Sequence, residues 1–96
     1  MYDKKINPLS QALRLLRIYS DISQGEMAMS LKFKNNVLSE LENGRREVTL
    51  KTLEKYADVF KIEVKDITFF AQQIEENGNI KKEIFDKIIQ SVKEGV

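Results

Sequence analysis

Apolar residues recur at helical spacing along this chain, and that periodicity leaves little choice of fold class. Leu9, Ala12, Leu13 and Leu16 fall at i, i+3, i+4 and i+7, and Ile67, Phe70, Ala71 and Ile74 repeat the stripe. Strand-type alternation is hard to find, and one proline with four glycines leaves few breakers. The pattern predicts an all-α domain. The chain has 96 residues and neither cysteine nor histidine, so no disulfide and no Cys/His metal site can staple it. Its helices must therefore bury an efficient apolar core. The same absence removes thiol nucleophiles and imidazole bases. No nucleophile–base spacing and no glycine-rich phosphate loop stands out. The expectation is a non-enzyme without metal or cofactor.

Capping residues divide the periodic stretches into six helices. Asn7-Pro8 opens the first, with proline suited to a first turn, and Ser20-Asp21 closes it. Ser23 caps the second, and Glu26 three residues on completes a capping box. Met27, Ala28 and Leu31 form its inner face, and Lys32-Phe33-Lys34 ends it. The third runs from about Asn35 to Glu42 on the pair Leu38 and Leu41, and Asn43-Gly44 stops it. The fourth follows Thr49 to Phe60, with Leu50, Leu53, Ala57 and Phe60 read as its inner face and Val48 and Leu53 as a hydrophobic staple. The fifth covers Val64 to Glu76, ended by Asn77-Gly78-Asn79. The sixth runs from Ile80 to about Glu94, with Ile84, Phe85, Ile88, Ile89 and Val92 as its apolar residues. The predicted organisation is an arm over 1–8, a domain over 9–76 and an additional amphipathic helix over 77–96.

Net charge is only +1, but it is unevenly spread: residues 1–46 carry +3 and residues 47–96 carry −2. A near-neutral chain can still bind a polyanion if its cations share a face. No run of 18 apolar residues exists, and MYDKKINPLSQ lacks the apolar block of a secretory signal, so a cytoplasmic protein with no membrane contact is expected.

The stretch SQGEMAMSLKFKNNVLSELENGRR, residues 23–46, carries the functional signal. It reads as short helix, tight turn, short helix and basic loop. Ala28 is the small residue where two helices can cross, and Met27, Leu31, Leu38 and Leu41 can fix the crossing. Lys34, Asn35, Asn36 and Val37 are left free of core duty. Asparagine can donate to and accept from a base edge, and Val37 suits a thymine methyl.

These residues resemble the lambda-repressor/Cro-like, or Xre-type, helix-turn-helix domains. The resemblance rests on Leu13 and Arg17, Ile22-Ser23-Gln24, Ala28, Leu38 and Leu41-Glu42-Asn43-Gly44, with Thr49-Leu50, Leu53, Ala57 and Ile62 beyond. It spans about Leu9 to Phe70. It implies a five-helix domain on duplex DNA, usually a dimer on a two-fold-related site, and hence a transcriptional regulator, most simply a repressor. The helix beginning near Lys34 would be the recognition helix, with Asn35, Asn36 and Glu40 at base-reading positions. Gln24, Asn43 and Arg45 would meet phosphates, and Arg17 and Glu42 would pair structurally to tie the first helix to the third.

The chain departs from the family at three positions. Lys32 replaces the glycine usual in the turn, where a left-handed backbone costs roughly 1 kcal/mol. Lys34 replaces the usual Ser or Thr cap; either Asn35 caps instead or Lys34 serves DNA. Glu40 brings a negative charge to the groove, where it meets a cytosine amino group or a neighbouring cation. Arg45 and Arg46 read either as a solvated loop or as phosphate contacts, and Lys4 and Lys5 as an arm or a loose end. Phe69 is left over when Phe70 turns inward. With Ile84, Phe85, Ile88 and Val92 it suggests a dimer interface, against the alternative that the sixth helix folds back on its own domain. A second functional class stays open: an antitoxin or other protein-interaction module, gripping a protein partner through that helix.

Overall fold

Six helices follow one another in the computed structural model, which describes residues 7–94 with side chains to residue 91; no strand occurs among those residues. They are α1 (Pro8–Tyr19), α2 (Gln24–Leu31), α3 (Asn35–Glu42), α4 (Leu50–Phe60), α5 (Val64–Asn77) and α6 (Lys82–Glu94). Most of the arm expected over residues 1–8, with Lys4 and Lys5, lies outside the described residues, as does the side chain of Val92. Among the described residues no helix is long and apolar enough to cross a membrane.

Local chemistry sets the boundaries. The Asn7 side chain accepts from the Leu9 amide at 2.8 Å, with Pro8 in the first turn of α1. At α2, Ser23 Oγ accepts from the Glu26 amide at 3.1 Å while the Ser23 amide donates to Glu26 Oε1 at 2.9 Å. That backbone amide, and then the Ser23 hydroxyl, hold the Glu26 carboxyl below its ordinary range. The contribution of this cap is therefore complete above the unfolded carboxylate range and fades as pH falls through the lowered folded value. Thr49 accepts from Thr52 at 3.2 Å to open α4. Glycine ends α5: Gly78 sits at φ 80° with its amide donating to Ile74 O at 2.7 Å.

Among the described residues, three non-glycine residues take the left-handed conformation, namely Asp21, Lys32 and Lys61. Lys32, at φ 62°, makes the turn between α2 and α3, as the departure from glycine implied. Lys32→Gly is therefore expected to raise stability by up to about 0.5 kcal/mol, the left-handed strain relieved less glycine's extra freedom in the unfolded chain. Thermal melting checks it; a clearly lower midpoint would show that Lys32 bears less strain than glycine's freedom in the unfolded chain costs.

α1 packs most extensively along α5 and also against α3; α2 packs on α3 and α4, and α4 packs back on α5. Leu13, Leu16, Met27, Leu31, Leu38, Leu41, Ile67 and Phe70 are fully withdrawn from water, and Ala28 lies buried where α2 meets α3. One inner face differs from the sequence reading. Leu50 is 63% exposed, while Tyr56, unassigned from sequence, is completely buried. The true stripe of α4 starts a turn later, at Leu53, Tyr56, Ala57 and Phe60; Leu50 sits at the first helical position, ahead of the core.

α6 returns to its own domain. Ile80 is buried, its amide held by Asn79 Oδ1 at 2.8 Å and its carbonyl by the Tyr19 hydroxyl at 2.6 Å. This anchor delays the helix to Lys82 rather than Ile80. Phe85 is 4% exposed, its ring centroid 5.1 Å from both Tyr19 and Phe70. Phe85 thus belongs to the monomer core and not to the expected subunit interface. Of two successive helical residues only one can face inward, and the open gap between Tyr19 and Phe70 takes the larger. Ile84 is left 49% exposed, Phe69 on α5 43% exposed, and Ile88 half-buried against the core.

Candidate nucleic-acid interface

The α2–turn–α3 unit is held from behind by a buried ion pair. Arg17 Nε donates to Glu42 Oε2 at 2.7 Å, and Nη2 donates to Oε1 at 3.0 Å. Arg17 Nη1 also donates to the Ile22 carbonyl at 2.8 Å, in the turn before α2. The Gln24 amide nitrogen adds a third donor to the carboxylate, 3.1 Å from Oε1. Glu42 is only 1% exposed and Arg17 13%. A carboxylate this buried is tolerable because it is paired and accepts three hydrogen bonds. The cluster joins α1, the start of α2 and the last residue of α3, which fixes how α3 leans on the domain. Tyr56 lies under it, its buried hydroxyl without a protein partner. Burial, and then the Glu42 carboxylate, push that phenol well above its usual range, so it stays neutral at any working pH.

A second clasp secures the turn. Lys55 on α4 stands 5.2 Å over the Phe33 ring and donates to the Leu31 carbonyl at 3.5 Å, the last residue of α2.

Held this way, α3 keeps Leu38 and Leu41 buried and leaves Lys34, Asn35 and Asn36 exposed, with Val37 half-buried. Lys34 occupies the cap position but makes no side-chain cap bond, and Asn35 is already helical. Neither side chain closes the first turn, so the amino end of α3 presents uncapped amides beside a lysine and two carboxamides that have no hydrogen-bond partner among the described residues. That is an anion-attracting edge next to groups able to read bases.

The other expected site residues are more constrained. Gln24 is exposed as a residue, but one amide proton is committed to Glu42; the second proton and the carbonyl oxygen remain. Asn43 donates weakly to Ser39 Oγ at 3.4 Å. Arg45 is exposed, anchored by its backbone amide on Glu40 O at 2.9 Å, and its side chain makes no hydrogen bond or ion pair among the described residues. Arg46 is not loose: Nη2 and Nε donate to Glu40 Oε1 at 2.7 and 3.1 Å. Glu40 therefore faces a neighbouring cation here. The sequence reading kept these two residues in separate roles; their six-residue separation through a loop gave no signal of contact.

Comparison with known proteins agrees with this architecture. A helix-turn-helix family model matches residues 13–67, more than half of the chain, from the Leu13 layer of α1 to Ile67 of α5. Among solved structures the chain is similar to the clp gene regulator ClgR from C. glutamicum, at 30% identity over 70% of this chain and 87% of that one, with a TM-score of 0.65. No curated protein matches. The matched residues include both members of the Arg17–Glu42 pair and all of α2 and α3. The chain belongs to the Xre/Cro-like helix-turn-helix family, with a lambda-repressor-like DNA-binding domain in its first five helices.

Proposed function

We propose that this protein is a sequence-specific transcriptional regulator, a repressor acting as a dimer on a near-palindromic duplex site in the cytoplasm. The observation that carries the reading is the outer face of α3: exposed Asn35 and Asn36 at an uncapped helix start, on a helix whose other side is locked in the core. Asn35, Asn36 and Val37 read bases in the major groove; Lys34, Gln24, Asn43 and Arg45 position the domain on phosphates. The similarity to ClgR, described as a gene regulator, supports the same role. Two subunits would set their recognition helices about 34 Å apart, one duplex turn. Phe69, Ile84 and Ile88 supply the apolar surface for pairing. Selection of bound duplexes from a random pool tests the reading. A motif with dyad symmetry supports it, and a pool without enrichment overturns it.

The division between reading and holding has its own test. Asn36→Ala is expected to relax preference at one base position and to cost about 1–3 kcal/mol on the preferred sequence. Arg45→Ala is expected to weaken all sequences about equally. If both variants behave alike across a panel of site variants, the assignment fails.

The exposed pair Phe69 and Ile84 also fits a second reading, an antitoxin or similar module that uses this surface on a different protein. A stoichiometric partner co-purifying from the native host, and lost on Ile84→Glu, favours it over homodimerisation.

A further inference from the structure

Glu40 and Arg46 do not fit the roles that a recognition helix and a basic loop assign to them separately. Glu40 lies one helical turn beyond Asn36, on the same face of α3. Arg46 comes from the loop after α3, yet its guanidinium is drawn back onto that face by two hydrogen bonds to one oxygen, Glu40 Oε1. The pair is half exposed, so it is not a core device like Arg17–Glu42. An exposed pair of this kind adds little to folding. Its effect is geometric: it holds a long side chain against Glu40, on the face of α3 that also carries Asn36.

The donor count shows what remains. A guanidinium has five N–H groups. Nε–H and one Nη2–H go to Glu40, which uses one side of the fork. The second Nη2–H and both Nη1–H groups have no partner among the described residues, and that Nη2–H with the Nη1–H beside it forms the end-on edge. Two parallel donors on that edge match guanine O6 and N7 in the major groove, the commonest specific arginine contact. A phosphate would also accept them, but a phosphate contact needs no carboxylate alongside; placing one there adds repulsion. A base edge carries no net charge, so the buttress is tolerated, and Glu40 removes the freedom that a long arginine would otherwise lose on binding.

We propose that Glu40 and Arg46 act as one unit that reads a guanine in each half-site. Arg46 makes the contact, and Glu40 is the positioning residue that aims it. The proposal rests on the DNA-binding reading above and adds the base and the residue that selects it. It also gives Glu40 a place in the groove that does not require a carboxylate to approach DNA alone.

The test uses the full chain and its selected duplex, with all four base pairs substituted at each half-site position. The wild-type protein is expected to prefer guanine at one position by roughly 5- to 150-fold, the range of a bidentate contact. Arg46→Lys, which keeps the charge but loses the fork, and Glu40→Gln, which keeps an acceptor but loses the charge, are both expected to flatten that same position. Positions read through Asn36 should be unchanged. The double variant should be no less selective than Arg46→Lys alone, because the two residues act through one contact. Three results overturn the proposal. One is an equal loss on every sequence for Arg46→Lys, which marks a phosphate contact. Another is a Glu40→Gln effect at a different position, or tighter binding to every duplex, which marks Glu40 as a mask. The last is a motif without a guanine that depends on Arg46. Failure of the parent reading looks different: no motif emerges from the pool, and Asn36→Ala changes nothing.

Discussion

Arg17→Met is expected to lower the folding free energy by about 3–5 kcal/mol, because the substitution leaves the Glu42 carboxylate buried without its main counter-charge. Gln24 alone would remain as donor, one neutral hydrogen bond where there were three, two of them from a cation. Domains of this size hold only about 5–15 kcal/mol in total, so the loss is a large part of the whole. Urea unfolding at neutral pH should show the midpoint falling by 1 M or more, given slopes of about 1–3 kcal/mol per molar. The companion variant decides the cause. Replacing both partners, Arg17→Met with Glu42→Leu, removes the stranded charge and should recover most of the stability, since a buried pair is often worth little over apolar residues of similar volume. If the double variant is as unstable as Arg17→Met, the damage comes from lost packing of the arginine stem and not from the charge. A wild-type midpoint for Arg17→Met would remove the pair from any structural role.

Phe85→Ala is the second large effect. Truncating a ring packed at 5.1 Å against both Tyr19 and Phe70 should cost about 3–5 kcal/mol of the docking of α6. Ile80 and the Tyr19 hydroxyl bond are weak anchors alone, so residues 82–91 should lose hydrogen-exchange protection while α1 to α5 keep theirs. Because these contacts lie within one chain, the effect should not depend on protein concentration. Protection that falls on dilution in the wild type, and is abolished at all concentrations by Phe85→Ala, would instead place Phe85 between subunits.

Much of this molecule was legible in its sequence, for identifiable reasons. Caps are local: Asn7, the Ser23–Glu26 box and Thr49 depend on residues two or three apart, and all three form. The left-handed Lys32 followed from the glycine usual at that place in the family. What was not legible depends on which of two neighbours wins a place in the core. Leu50 looked like the first member of a stripe, but the helix begins there, and Tyr56, which no stripe included, is completely buried with its hydroxyl unpartnered among the described residues. Ile84 and Phe85 are equally apolar, and only the gap between Tyr19 and Phe70 chooses between them. In the candidate site, Asn35 and Asn36 stand exposed where spacing put them, whereas the bonds of Gln24 to Glu42 and of Arg46 to Glu40 join side chains that no local pattern connects.

The carboxylate of Glu42 has a consequence for how such a domain can change over time. Along α3 the residues that fasten the helix, Leu38, Leu41 and Glu42, are different from those that look outward, Asn35, Asn36 and Glu40. The mounting and the lettering are separate parts. New letters can be set at 35 and 36 without disturbing the mounting, so address changes should come cheaply in stability, while a change at 17 or 42 would tilt every letter at once.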